Sequence, residues 1–421
     1  MSSTDRQNRL LVAEDWKRVY QSFEHADFQS YDFDNLRRTM INYLRQNYPE
    51  DFNDYVESSE YLALIDLIAF LGQNLSFRID LNARENFIEL AERRESVLRL
   101  ARLLSYNPKR NQAANGLLKV ESISTTEGVK DSNNINLAGQ TVIWNDPSNT
   151  NWFEQFTKVI NGALPAKKNF GSPEKLTSIA GVPTELYRIN GSNTTVPVYA
   201  FDKFIQGVNT RFEVVSSNMT DTDIVEEAPL PGNNFAFMFR NDGKGPASTN
   251  SGFFVNFRQG SLDQGQFALQ TPSTNQAINI DTQNINNSDV WLYQLNSNNQ
   301  PETLWAKVDA VEGNNVIYNS LSKKERNIYS VLTRVDDRIS LLFADGTFGN
   351  LPKGNFRVYY RTSANRPMSI TPGSMIGIAV ELPYISKSGA SHTLTLNCEL
   401  KYTVSNGSRA ETNASIKANA P

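Results

Sequence analysis

The spacing of apolar residues changes near residue 115, and this change constrains the fold more than any other feature of the 421-residue chain. Before it, apolar residues recur every three or four positions, as on a helix face. From Gly116 onward they alternate with polar residues, as in strands. Charged residues make up 33 of the first 115 positions but only 53 of the remaining 306, which is typical of helices with solvated faces followed by strands and turns. We therefore expect an α+β protein.

This division predicts three regions. Residues 1–115 should form a helical, bundle-forming region, and residues 116–330 a β-rich domain. Residues 331–421 should form a further β segment and the start of a C-terminal domain. The final stretch, ETNASIKANAP, ends abruptly at Pro421, and we expect the natural chain to continue.

Four helices are predicted in the first region. Asp32 suits an N-cap, because its carboxylate can accept hydrogen bonds from the free amides of a first helical turn, and Pro49 should end that helix. Ser59 can cap the third helix, and Asn107-Pro108 should end the fourth. The predicted helices span about Asp5–Phe23, Asp32–Pro49, Ser59–Ile79 and Asn86–Ser105.

The third and fourth helices carry more apolar surface than one neighbour can cover. The third is apolar on two faces, which favours neighbours on both sides. The fourth has alternating spacings of three and four, as in the seam of a helical bundle. Arg94 interrupts this seam, so it should either extend its charge to solvent or pair with an acid on a partner helix. The predicted partner-helix interface comprises Tyr61, Leu64, Ile68, Leu71, Leu75, Phe87, Leu90, Arg94, Val97, Ala101 and Leu104.

Charge and composition argue against several classes of protein. The chain has 41 basic and 45 acidic residues, a net charge of −4, whereas nucleic-acid binders typically carry a basic domain. Cys398, His25 and His392 are too few for a disulfide framework or a structural zinc site. No apolar run approaches about 18 uninterrupted residues, and the N-terminus does not resemble a signal peptide. We expect a soluble protein made in a reducing compartment, with no nucleic-acid or membrane partner, metal or cofactor.

Sequence motifs for catalysis are absent. The chain contains no HExxH, GxxxxGK[ST], strand-linked GxGxxG or GxSxG motif, which would indicate a zinc protease, a phosphate-binding loop, a dinucleotide site or a hydrolase nucleophile. A Ser-His-Asp triad would have to use His25, predicted at a helix surface, or His392, predicted at a loop or strand edge. We therefore expect no enzyme activity and no catalytic residue.

Carboxylates leave one enzymatic alternative open, because a glycosidase needs only two acids at a suitable separation. The favoured interpretation places the two acid pairs in solvated loops and the single acid in a turn. The candidates are Glu226-Glu227, Asp336-Asp337 and Asp345. Alternating aromatic residues at 235–239 and 253–257 can likewise hold a carbohydrate or a base, although such residues more often face a sheet core.

Two stretches resemble a known family. Residues 33–110, with their ERRESV and SYNPKR segments, and residues 341–361, LLFADGTFGNLPKGNFRVYYR, are similar to the T-even-type baseplate wedge proteins of contractile-tailed bacteriophages, a baseplate J-like family. In the second stretch, Asp and Gly suit a tight turn, Pro fixes one backbone angle and the last Gly permits positive φ. We therefore expect these residues to form a structural turn. They are Asp345, Gly346, Gly349, Pro352 and Gly354.

The resemblance implies a structural subunit of the virion tail baseplate, synthesised in the bacterial host cytoplasm. Its implied partners are a second copy of itself, other baseplate wedge proteins, a sheath-initiating protein and, indirectly, the central hub. It would join wedges into a ring around the hub and relay the trigger for sheath contraction. The alternative is a tail-associated glycan-binding or glycan-cleaving protein built on the β-rich middle.

Overall fold

A computed structural model describes residues 32–47, 59–311, 326–347 and 349–420. The chain divides into two compact units, Met1–Leu100 and Ala101–Pro421. Strands and helices both contribute substantially, so the protein has the predicted α+β composition. The predicted helix over Asp5–Phe23 lies outside the described residues.

The first unit contains helices α1 (Phe33–Asn47) and α2 (Ser59–Arg84) and the start of α3 (Arg94–Leu103). Asp32 Oδ1 accepts a hydrogen bond of 2.8 Å from Asn35 N, which confirms the predicted N-cap of α1. The two long helices approach closely at Gly72, where an added Cβ would lie 3.1 Å from Leu36 Cδ1. Arg37 and Asp66 form an ion pair of 2.6 Å between the same helices.

The predicted fourth helix is wrong in its first two turns. Residues 86–93 form turns and bends, and α3 begins only at Arg94. The reason is local capping, because Glu85 Oε1 accepts hydrogen bonds from Glu92 N at 3.0 Å and Arg93 N at 3.1 Å. A hydrogen bond from the Ser96 side chain and these backbone hydrogen bonds lower the pKa of Glu85. The carboxylate thus satisfies amides at the start of α3, and the chain turns to bring it there.

The second unit is built mainly from strands. In chain order these are β1 (Asn115–Thr125), β2 (Val142–Ile143), β3 (Lys175–Ile179), β4 (Val182–Arg188), β5 (Val198–Ile205), β6 (Val208–Val215), β7 (Ser217–Met219), β8 (Ile224–Glu226), β9 (Ala236–Arg240), β10 (Gly252–Gln259), β11 (Ser261–Leu269), β12 (Ala277–Ile280), β13 (Ile285–Leu295), β14 (Pro301–Lys307), β15 (Ile328–Thr333), β16 (Ile339–Phe343), β17 (Gly354–Thr362), β18 (Met368–Ile370), β19 (Ile378–Ile385), β20 (Ser391–Glu399) and β21 (Val404–Gly407). Two helices accompany them, α4 (Trp152–Ala163) and α5 (Asn413–Asn419).

These strands form two large sheets. The ten-stranded sheet follows the order β19-β20-β1-β10-β9-β4-β3, with β2 beside β1 and with β6 paired to both β10 and β5. The seven-stranded sheet follows the order β11-β17-β13-β14-β15-β16-β12, and β14 and β15 pair in parallel. Two hairpin-sized sheets, β18-β21 and β7-β8, complete the unit. Each large sheet takes strands from both sides of residue 330; the predicted domain limits at residues 115 and 330 stay predictions.

Aromatic side chains fill the cores of both sheets. Phe156 of α4 stacks on Phe253 of β10, with 5.3 Å between ring centroids, in the core of the ten-stranded sheet. Trp305, Phe343 and Phe356 pack together in the core of the seven-stranded sheet. The alternating aromatics of residues 235–239 and 253–257 mostly face the first of these cores, which confirms the favoured interpretation for them.

Candidate functional site: an apolar helix surface and a buried ion network

Helix α2 presents a large apolar surface to solvent. Ile65 and Ala69 are buried, whereas most of the larger apolar side chains of this helix are exposed. Eight of them are between 48% and 68% exposed, and at about 3.6 residues per turn they lie on more than one face of the helix. Monomeric soluble proteins rarely expose this much apolar surface. We call these eight the α2 patch: Leu64, Leu67, Ile68, Phe70, Leu71, Leu75, Phe77 and Ile79.

The same helix has the length and apolar composition of a membrane-spanning helix. Residues Leu62–Arg84 have a mean hydropathy of 1.4 in their most apolar 18-residue window, and 11% of that window is buried. By length and composition alone, this segment is therefore able to cross a membrane. The sequence-based argument missed it because Asp66 and other polar residues interrupt the apolar run, although the mean hydropathy stays high.

The predicted interface residues fall into different environments. Leu64, Ile68, Leu71 and Leu75 belong to the α2 patch, and the side chain of Tyr61 lies outside the described residues. Phe87 and Leu90 are exposed in the turns before α3. Arg94 is half-buried at the start of α3 and Leu104 is exposed just after its end, whereas Val97 and Ala101 are fully buried. Four of the named residues thus lie on α2, whereas the seam predicted for the fourth helix is helical only from Arg94 onward.

The segment that leaves α3 is anchored on the seven-stranded sheet by hydrogen bonds. Asn107 Nδ2 donates to Val331 O at 2.7 Å, and Thr333 N donates back to Asn107 Oδ1 at 3.1 Å. The buried Arg110 guanidinium donates through Nη1 to Thr333 Oγ1 and through Nε to Ile285 O. Burial lowers the pKa of Arg110 to about 10. The SYNPKR segment thus has a structural role in the second unit.

The turn between β16 and β17 contains the five predicted turn residues. Asp345 Oδ1 accepts a hydrogen bond of 2.8 Å from Thr347 N, which closes a local side-chain turn. Gly346 and Gly354 have φ values of 89° and 106°, a region that L side chains rarely adopt. Pro352 is buried. These features fix the backbone of the turn, and the Asp345 carboxylate is hydrogen-bonded within the same loop.

Gly349 is needed in this turn because its neighbours leave no room for a side chain. A Cβ added there would lie 2.6 Å from Ala344 Cβ and 2.8 Å from Ile328 Cγ1. Both distances are shorter than van der Waals contact, so a side chain would push the turn away from β15.

A buried network of charged side chains, which sequence reasoning missed, joins three sheets of the second unit. The fully buried Arg361 of β17 donates to both carboxylate oxygens of Glu226 on β8, at 2.6 Å and 3.0 Å. It also donates to Glu213 Oε2 on β6, at 2.9 Å from Nη2 and 3.2 Å from Nε. Arg361 therefore connects the seven-stranded sheet with the ten-stranded sheet and the β7-β8 hairpin.

Two further residues complete this ion network. Arg258 lies 3.5 Å from Glu226 and 3.8 Å from Asp289, and Arg361 Nη1 lies 4.0 Å from Asp289. Burial opposes the charge of Arg361, but the surrounding acids outweigh it and raise the pKa of that guanidinium. Each member thus lies within 4.0 Å of an opposite charge, and burial still raises the pKa of Glu226.

The structure corrects the predicted environment of two acids, Glu226 and Asp337. Glu226 is buried and ion-paired, not solvated in a loop. Asp337 is also buried, and its Oδ2 accepts a hydrogen bond of 3.2 Å from Asn111 N, whereas the neighbouring Asp336 is exposed. The sequence did contain a signal for this network. Arg361 follows apolar residues within a predicted strand, and a charge buried there requires an oppositely charged partner.

His392 and Cys398 both lie on β20. His392 Nδ1 lies 3.4 Å from Thr126 Oγ1 in a half-exposed position on β20, and Cys398 is buried, which raises the pKa of its thiol. Within the described ranges, no group of three or more His, Cys, Asp or Glu side chains is placed to hold a metal ion. Glu213 and Glu226 are both engaged by Arg361.

Comparison with known proteins gives two family matches. No curated protein and no solved structure matches the chain. Residues 32–103, which include α1, α2 and α3, match the bacteriophage baseplate protein N-terminal domain. This match supports a structural role in the phage tail baseplate, in the virion, in association with other baseplate proteins. Residues 116–403 match a domain of unknown function, DUF8360. Because this second match spans more than half of the chain, the protein belongs to the DUF8360 family.

Proposed function

We propose that the protein is a non-enzymatic structural subunit of a contractile-tail baseplate wedge. It joins wedges into a ring around the hub and relays the trigger for sheath contraction. The observation that carries this proposal is the α2 patch, because it lies inside the segment that matches a baseplate N-terminal domain.

The size of the α2 patch supports association with other helices. Burying one large apolar side chain contributes about 1.5–3 kcal/mol when it starts fully exposed. Eight side chains that are about half exposed then contribute on the order of 10 kcal/mol before the entropic cost of association is subtracted. The proposed occupants are helices of a second copy and of other wedge proteins, which form a helical bundle with it. A sheath-initiating protein and, indirectly, the hub are the further proposed partners.

The second unit supports the proposed relay because its sheets are tied together by buried contacts. Arg361 connects β17 with β6 and β8, and Arg110 connects the segment after α3 with β13 and β15. A unit held in this way moves as one body when a neighbour displaces part of it. Such a body transmits a displacement from one side of the ring to the other.

A co-assembly experiment tests this function. The full chain is co-expressed with the other wedge proteins of the same phage, and complexes are isolated through a tag on one of those proteins. We expect the wild-type chain to co-purify and the Leu71→Glu/Leu75→Glu variant to be lost, because two charges then sit in the α2 patch. Leu176→Glu is the matched control, since Leu176 is 65% exposed on β3, outside that patch.

Three outcomes would contradict the proposal. The first is equal recovery of the wild type and the α2 variant. The second is insertion of the wild-type chain into phosphatidylcholine vesicles through α2 with no recovery of wedge proteins. The third is cleavage of peptidoglycan by the purified chain, which would favour the glycan-cleaving alternative.

A further inference from the structure

An open pocket of about 440 Å³ lies in the second unit where strands of the two large sheets come together. Arg211 of β6 and Gln259 of β10 line it from the ten-stranded sheet, and Ser261 of β11 and Thr362 of β17 line it from the seven-stranded sheet. Arg366, just beyond β17, completes this lining with the loop at residues 282–284. Among the residues described around the pocket there is no Asp or Glu.

Arg366 is a cation without a counter-charge in this part of the fold. Its Nε and Nη2 atoms are buried and have no hydrogen-bond acceptor among the described residues. By contrast, Arg361 and Arg188 each lie within 3.0 Å of a carboxylate. Leaving guanidinium donors unsatisfied costs free energy, and this cost is recovered when an acceptor binds.

Gln259 adds a second unsatisfied donor to the same pocket. The side chain is 1% exposed, and its Oε1 accepts a hydrogen bond of 3.1 Å from Ala114 N. That bond fixes the orientation of the amide, so Nε2 is the donor. Nε2 has no acceptor within the described structure. Buried amide donors of this kind are uncommon in folded proteins.

The nearby acids do not neutralise this pocket. Glu213 is held by Arg361, and Asp336, which lies 3.4 Å from Gln283, is paired with Arg338 at 3.6 Å. Arg211 has its own partner in Asp202. The uncompensated charge at the pocket is therefore that of Arg366.

We propose that this pocket binds a small anionic group of the carboxylate or phosphate class. Nε and Nη2 of Arg366 and Nε2 of Gln259 have almost no accessible surface, so an anion would have to draw these side chains toward the pocket. Arg366 would then supply the charge and the paired donors that such oxygens accept, and Gln259 a neutral donor. Free carboxylates and free phosphates both present such oxygens. The proposal is independent of the assembly function, since it concerns the second unit alone.

Calorimetric titration of the full-length chain tests this site, with sodium phosphate and sodium succinate as probes at constant ionic strength set by sodium chloride. We expect saturable binding of at least one probe. Arg366→Gln, which removes the charge but keeps a similar length, should weaken this binding at least tenfold. Arg409→Gln is the control, because Arg409 is exposed and does not line the pocket. Stronger binding of succinate would show that the pocket prefers carboxylates, and stronger binding of phosphate that it prefers phosphates.

The absence of saturable binding by the wild type, or the same affinity in wild type and Arg366→Gln, would overturn the proposal. Far-UV circular dichroism establishes that each variant is folded. If Arg366→Gln does not fold, Arg366→Lys tests the same point, because lysine keeps the charge but lacks the planar fork. We expect this variant to bind several-fold more weakly than the wild type, and unchanged affinity would equally contradict the assignment.

Discussion

Arg361 Nη1 lies 2.6 Å from Glu226 Oε2, and both side chains are buried between the seven-stranded sheet and the β7-β8 hairpin. The two residues are 135 positions apart in the chain, so their pairing depends on the complete fold of the second unit. It is therefore a sensitive indicator of that fold.

Replacing Arg361 by Met should destabilise the second unit by about 3–5 kcal/mol, because Glu213 and Glu226 would be left buried without their cation. Guanidinium-induced unfolding measures this loss. The control is Arg211→Met, which removes a half-exposed ion pair with Asp202 and should cost about 1 kcal/mol or less. Equal losses for the two variants would show that the buried ion network does not stabilise the fold.

Asp242 gives a prediction about pH. Hydrogen bonds from the Ser248 and Ser251 side chains, each 2.6 Å, lower the pKa of Asp242 to about 2. A carboxyl whose pKa is lower in the folded state stabilises the protein above its unfolded pKa, near 4, and this stabilisation disappears as pH falls toward 2.

Melting temperatures at pH 7, 5 and 3 test this prediction with Asp242→Asn. We expect the variant to melt below the wild type at pH 7 and 5, and the difference to shrink at pH 3. Asp221→Asn, at an exposed position, is the control and should follow the wild type throughout. A difference that stays constant from pH 7 to pH 3 would argue against ionised Asp242 as its source.

The turn before β17 gives a prediction about packing. Gly349→Ala should destabilise the second unit by about 1–3 kcal/mol, since the new methyl group overlaps Ala344 and Ile328. Gly373→Ala is the matched control, because an added Cβ there meets no atom within 4 Å. Denaturant unfolding should show a lower midpoint for the first variant only. The same midpoint in both variants would mean that the turn adapts without cost.

Local patterns in the sequence predicted several elements correctly. Asp32 caps α1 by accepting a hydrogen bond from the backbone of Asn35, three positions later. The alternating aromatic residues at 235–239 and 253–257 lie mostly on one buried sheet face. In both cases the cause lies within a few residues of the pattern, so periodicity and capping preferences were sufficient.

Other features depend on contacts that the sequence pattern does not contain. The predicted helix from Asn86 fails because Glu85 caps a later segment, so that Phe87 and Leu90 lie in turns. The burial of Glu226 depends on Arg361 in a distant strand. The pocket beside Arg366 likewise combines residues that are far apart in the chain, since Gln259 and Arg366 are more than a hundred positions apart.

The α2 patch is the central claim of this account, and the solution mass of the full chain tests it most directly. Light scattering after size exclusion is measured for the wild type, Leu71→Glu/Leu75→Glu and Leu176→Glu. We expect the wild type and Leu176→Glu to be dimers or larger and the α2 variant to be a monomer with an unchanged circular dichroism spectrum. Wild type and α2 variant with the same mass, whether monomeric or associated, would contradict self-association through α2.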